Sequence, residues 1–169
     1  MAIPAYMKID GIPGSVNVSG REGFVEVLEF NHRVYVPTDR DDGSLTGTRK
    51  HDSLIIHKAF DKSSSLLYQK VCTGQTVPNI LIRWYKITDR GEEVAYFEHK
   101  LEKCKIASVR SYMHNVKDST KEQFVHQEEV TIRYEKISWN FLDGNLQHTD
   151  QWNQRGGAGS GGIGGLPSF

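Results

Sequence analysis

EEVTIRYEKISWNF, residues 128–141, is the stretch whose reading decides the fold. β-Branched and aromatic residues alternate with polar ones at period two, the pattern of a half-buried strand. Val130, Ile132 and Tyr134 fall on one face, whereas Ile137, Trp139 and Phe141 have the opposite parity. A strand changes parity only by taking in an extra residue, so the spacing predicts a bulge and a bend near Glu135-Lys136. A bent strand belongs in a curved sheet, as a closing barrel requires.

The alternation recurs outward from this stretch between short turn signals. Residues 6–12 form a predicted first strand that ends at Pro13-Gly14, and residues 24–36 a second. In the second, Val25 and Val27 share one face and Leu28 and Phe30 the other, which predicts a bulge at Val27-Leu28. Strands over residues 54–60, 80–87 and a long, bent 94–109 follow, the last two joined through Asp89-Arg90-Gly91. The predicted class is mainly β: a curved antiparallel barrel or sandwich. One short helix over residues 63–73 lies on its side, with Asp61 and Ser63 or Ser64 at its start, an apolar stripe of Leu67 and Val71, and Gly74 closing it.

The length of 169 residues suits one domain. Residues 1–154 form the predicted barrel, and the Gly-rich residues 155–169 a flexible tail. Residues 37–52, PTDRDDGSLTGTRKHD, make a polar loop too long for a plain connection. Lys plus Arg and Asp plus Glu are 21 each, so no bulk attraction to nucleic acid or an anionic membrane is expected. Cys72 and Cys104 lack metal-site spacing and read as buried thiols. The amino end lacks a cleavable-signal pattern and no apolar run reaches membrane-span length, so synthesis in the cytosol, and any export without a cleaved signal, are expected.

HDSLIIHKAFDKSSSLLYQKVCTG, residues 51–74, invites a catalytic reading that its spacing removes. It has no G-x-S-x-G elbow, and His51 and His57 lie six apart, which suits neither a helical nor a strand metal pair. His57, next to Lys58 on a strand, reads as a solvated or interfacial ring, and carboxylate runs such as Glu128-Glu129 read as solvated faces. The chain is expected to be no enzyme and to hold no metal or cofactor. Arg83-Trp84-Tyr85-Lys86 resembles an oligonucleotide-binding strand, but alternation sends Trp84 and Tyr85 to opposite faces, which makes that barrel a minor alternative.

Four stretches carry a specific resemblance: AYMKIDGIPGSV, FDKSSSLLYQKVCTGQTVPNILIRWY, VAYFEHKLEKCKIASVRSYM and EEVTIRYEKISWNF. Asp61, Lys62, Ser63, Ser64, Leu66, Leu67 and Gly74, with Tyr134, Lys136, Ile137 and Trp139, match in order. Over residues 5–152 the chain resembles the hemolysin-coregulated protein family, Hcp, the tube subunit of bacterial type VI secretion. The resemblance implies a homo-hexameric ring that stacks into a tube inside a contractile sheath. It also implies a spike of the valine-glycine repeat family at the tip, effector proteins held in the lumen, and expulsion from the cell. A phage-type tail tube shares this ring logic and is the nearest rival. On this reading Asp39, Arg40, Asp41, Asp42, Arg49 and Lys50 of the polar loop pair between stacked rings. Glu29, Asn31 and Arg33, opposite in parity to Leu28 and Phe30, face the lumen.

Overall fold

The computed structural model describes residues 3–154; the predicted tail lies outside them. Nine strands form one sheet among the described residues: β1 (Ala5–Ile9), β2 (Val25–Val27), β3 (Glu29–Asn31), β6 (Leu54–Ala59), β7 (Val77–Ile87), β8 (Glu93–Tyr112), β9 (Gln127–Arg133), β10 (Lys136–Phe141) and β11 (Leu146–Gln151). A separate ribbon pairs β4 (Val34–Tyr35) with β5 (Lys50–His51). The helix α1 (Ser64–Thr73) packs on β8.

The main sheet runs β2-β1-β7-β8-β9-β6-β3, every pair antiparallel, with β10 and β11 branching from β8. Its end strands, β2 and β3, are consecutive in the chain and joined through Leu28, whose N–H donates to His57 O at 2.8 Å. The expected barrel is therefore a curled sheet, not a ring closed by its own hydrogen bonds.

The bends lie where parity put them, within a residue. The predicted strand over 128–141 is two strands, interrupted at Tyr134-Glu135. β8 breaks opposite them: Lys103 adopts φ 52°, and beyond it the strand's partner changes from β10 to β9. Leu28 interrupts the 24–36 strand as an exposed joint at 45% accessibility, so it does not share the inward face of Phe30 as the sequence pattern predicts. Tyr134, Ile137 and the fully buried Met7, Leu54, Ile56, Leu67, Ile80, Ile82, Leu101 and Ile132 fill the interior of the curl.

The cap of α1 also differs from expectation. Ser63 already has helical angles and makes no capping bond. Asp61 Oδ1 instead accepts the Ser63 N–H at 2.9 Å, an Asx turn that satisfies an orphan donor. Gly74 closes the helix at φ 67°. Only one cysteine is interior: Cys104 is buried, its thiol pushed up to about 12 by burial, while Cys72, beside the Leu67–Val71 stripe, is exposed.

Candidate assembly site

The polar loop is an arm. Strands β3 and β6 run out of the sheet together, continue as the β4–β5 ribbon, and the ladder extends to a bridge between Thr38 and Leu45. The tip is a tight turn in which Asp39 N–H donates to Ser44 O at 2.8 Å. Asp39 Oδ1 accepts the Asp41 N–H and Asp42 Oδ1 the Ser44 N–H, both at 2.8 Å. The Ser44 hydroxyl and N–H hold the Asp42 carboxyl below its ordinary range. Such Asx bonds order a sequence of this polarity without a core. Asp39, Arg40, Asp41 and Asp42 thus stand together, exposed, at the tip, and Lys50 is exposed at the base. Leu45 is 70% accessible and Val36 lies half exposed, so the arm also carries apolar surface.

Arg49 differs from the other charges of the arm. Its guanidinium grips both carboxylate oxygens of Asp150 on β11, Nη2 lying 2.6 Å from Oδ1, and also donates to Gln154 O at 2.7 Å. Arg49 fastens the base of the arm within its own chain and leaves the remaining charges to face outward.

Behind this clamp runs a hydrogen-bonded relay that the sequence did not signal. His32 Nε2 and His51 Nδ1 each lie 2.7 Å from the Tyr134 hydroxyl, and His51 Nε2 lies 2.8 Å from Asp150 Oδ2. The ionised carboxylate only accepts, so His51 carries its proton on Nε2. With both rings neutral, Nδ1 then accepts the Tyr134 O–H, and the phenol oxygen accepts the N–H of His32. Burial, and then the neighbouring His51, lower the His32 pKa, with Asp52 opposing. Burial disfavours the Asp150 charge, but Arg49 and His51 outweigh it and hold that carboxyl low.

Glu29 and Asn31 are exposed on β3, with Phe30 turned inward between them. Asn31 and Arg33 line a groove of about 550 Å³ with Asp52, Ser53, Ile55 and Arg133; Glu29, further down the strand opposite His57, does not. Arg33 Nε donates to Asp52 Oδ2 at 2.8 Å. His57 is half-buried rather than solvated, with Nδ1 2.6 Å from Tyr112 Oη.

Lys58 and Glu128 are fully buried, against the solvated-face reading. They are direct cross-strand partners, and the ammonium also meets Asp61 Oδ1 at 2.9 Å and Ser64 Oγ at 3.2 Å. Parity held the clue: Lys58 shares the face of Leu54 and Ile56, and Glu128 that of Val130 and Ile132. Two misplaced charges of opposite sign on core faces of adjacent strands signal an internal pair. On the oligonucleotide-strand alternative, Trp84 packs on Phe30 at 5.0 Å between centroids and Tyr85 on Tyr6 at 5.6 Å, so both rings are used internally.

A curled antiparallel sheet with one flanking helix and a fastened, outward arm defines a β-protein organised to present surfaces. The family model described as "Type VI secretion system effector, Hcp" matches residues 6–141. A protein of Pseudomonas aeruginosa named "Major exported protein" is 34% identical over 166 residues, spanning 90% of this chain and 96% of its own. A doubly substituted Hcp1 from the E. coli EAEC 042 pathovar is 46% identical and superimposes with a TM-score of 0.79 over 89% of this chain and 99% of its own. A crystal structure of an Hcp protein is 25% identical, with a TM-score of 0.81 over 91% and 100%. The chain belongs to the Hcp family of type VI secretion.

Proposed function

We propose that the chain is the building block of the type VI inner tube. Six copies close a ring, rings stack through the arm, and sheath contraction expels the tube behind its valine-glycine repeat spike. The observation that carries this reading is that the chain aligns with Hcp1 over 99% of that protein's length, with an ordered arm clamped by Arg49 and Asp150. A ring needs a heterologous interface closed by rotation, and stacking needs a projecting element. The arm supplies the projection with Asp39, Arg40, Asp41, Asp42 and Lys50, while Arg49 holds its base. The role is structural and requires no turnover. Export of the P. aeruginosa relative is stated in its name, and the same fate follows for this chain as tube cargo.

Native mass measurement and negative-stain microscopy test the assembly. Six-fold rings of about 115 kDa, six times the 19.2 kDa chain, are expected, and a monomer at every concentration overturns the reading. We assign Asn31 to the lumen, where effectors would rest; its exposure beside Arg33 in a shared groove supports that reading. Asn31→Trp then lowers co-purifying cargo at unchanged ring mass; unchanged cargo removes Asn31 from the lumen.

A further inference from the structure

The relay behind the Arg49–Asp150 clamp can run in two directions. In its neutral form every proton points towards Asp150: His32 Nε2–H donates to the Tyr134 hydroxyl, the hydroxyl to His51 Nδ1, and His51 Nε2–H to Asp150 Oδ2. Both nitrogens of buried His51 and the phenol oxygen are thus engaged. His32 is half-buried, and its Nδ1 makes no hydrogen bond among the described residues, so a proton from solvent enters there. The His32 Nε2 proton then passes to the Tyr134 oxygen as the hydroxyl proton passes to His51 Nδ1. His32 ends neutral with its proton on Nδ1, Tyr134 remains a phenol, and His51 becomes an imidazolium. Each bond to Tyr134 survives with donor and acceptor exchanged, and the bond to Asp150 becomes charge-assisted on both sides. A second proton would aim both rings' N–H groups at the phenol oxygen and strand its own proton, so the relay takes one.

The groups facing each ring decide where the charge rests. His51 meets Asp150 of β11 at 2.8 Å and the Trp152 ring at 5.5 Å between centroids. The cations beside it are Arg49, which already shares Asp150, Arg133, which lies over Trp152, and Lys50. A cavity of about 380 Å³ lined by His51, Asp52 and these three cations is large enough to admit water, which screens their repulsion. His32 has no carboxylate in hydrogen-bond contact. It packs on Trp139 of β10, Asp52 acts on it only through space while paired with Arg33, and the buried, neutral His99 is the other titratable ring nearby. A positive charge is therefore more stable against Asp150 than on His32.

We infer that His32, Tyr134 and His51 form a one-proton switch: a proton taken up at His32 Nδ1 reverses the relay, charges His51 against Asp150 and fastens the β4–β5 ribbon to β11. The ribbon is then held by two cations, Arg49 and His51, instead of one. The switch acts within one chain and stands whether or not rings stack through the arm.

Solid-state nitrogen NMR of the full chain, labelled in its seven histidines and taken from about pH 8 to about pH 5, reads the state of each ring nitrogen. His51 is expected to go from one protonated nitrogen to two while His32 moves its single proton from Nε2 to Nδ1, at a shared midpoint. In Tyr134→Phe, which cuts the connection, the His32 tautomer should no longer follow the charge on His51. A His32 that becomes the imidazolium while His51 keeps one proton, separate midpoints in the wild type, or rings still in step in Tyr134→Phe each overturn the switch. Hydrogen exchange reads the fastening. With the intrinsic pH dependence of exchange removed, amides of the β4–β5 ribbon should exchange about fivefold more slowly at the acid end. Asp150→Asn, which keeps the side-chain shape without the charge, should abolish that gain; no gain in the wild type, or a gain that persists in Asp150→Asn, overturns the inference.

Discussion

His99 shows how a single residue ties this fold to pH. It is buried against Phe30, Trp84 and Phe97, and its Nδ1 accepts the Trp84 indole N–H at 2.9 Å. Only a ring unprotonated at Nδ1 can accept, and burial, with His32 adding repulsion, lowers its pKa to about 4. A histidine whose folded pKa is depressed takes up its proton on unfolding first, so the stability it contributes is complete above about 6.5 and is lost as pH falls towards about 4. That interval corresponds to at most about 3 kcal/mol. Urea unfolding between pH 7 and pH 4 should show this loss, and His99→Gln, which keeps an acceptor for Trp84, should flatten it; an equal slope in both proteins excludes His99 as the source. Tyr134→Phe acts at the relay instead. It strips a partner from both His32 and His51 while keeping the ring, and should cost about 1–3 kcal/mol of unfolding free energy at pH 7.

Among the elements, β6, β9 and the start of α1 meet at the Lys58–Glu128 pair, with Asp61 as a third charge. A buried pair is costly to break and much less costly to replace. Glu128→Leu alone should therefore destabilise by about 3–5 kcal/mol, whereas Lys58→Met with Glu128→Leu should come close to the wild type; additive losses in denaturant titration would refute the coupling. Asp61→Ala should cost about 1–2 kcal/mol and more than Ser63→Ala, since Asp61 is the side chain that accepts at the helix start. Strand positions and bends were legible in the sequence because parity is a strict property of a pleated sheet, and Leu28 and Tyr134-Glu135 interrupt their strands where parity changes. Strand β11 was not legible: Leu146–Gln151 is polar and exposed on both faces over most of its length, and only its pairing to β10 makes it a strand. The ordering of the arm escaped for a similar reason, since it rests on Asx bonds and on Arg49 reaching a residue about a hundred positions away. The buried pair was legible in principle, but a rule that charged residues face water overrode the parity of Lys58 and Glu128.

For the whole molecule, a formal net charge of zero removes long-range repulsion between copies, so local contacts decide assembly. If rings stack through the arm as proposed, two kinds of contact compete there: ion pairs through Arg40 and apolar burial through Leu45. Complete burial of a leucine contributes about 2 kcal/mol, while an exposed ion pair contributes a fraction of that and weakens with salt. In a hexameric ring every axial contact is made six times per junction, so a small loss per arm is multiplied across it. Arg40→Ala should then shorten tubes several-fold, as about 0.5 M salt does for the wild type, and leave the rings whole. Leu45→Asp should leave rings alone at every salt concentration, because it removes the larger contribution and puts a carboxylate where apolar burial is needed. Tube lengths in micrographs across a salt series measure both. If Arg40→Ala abolishes tubes while Leu45→Asp keeps them, charge holds the junction and burial of Leu45 does not.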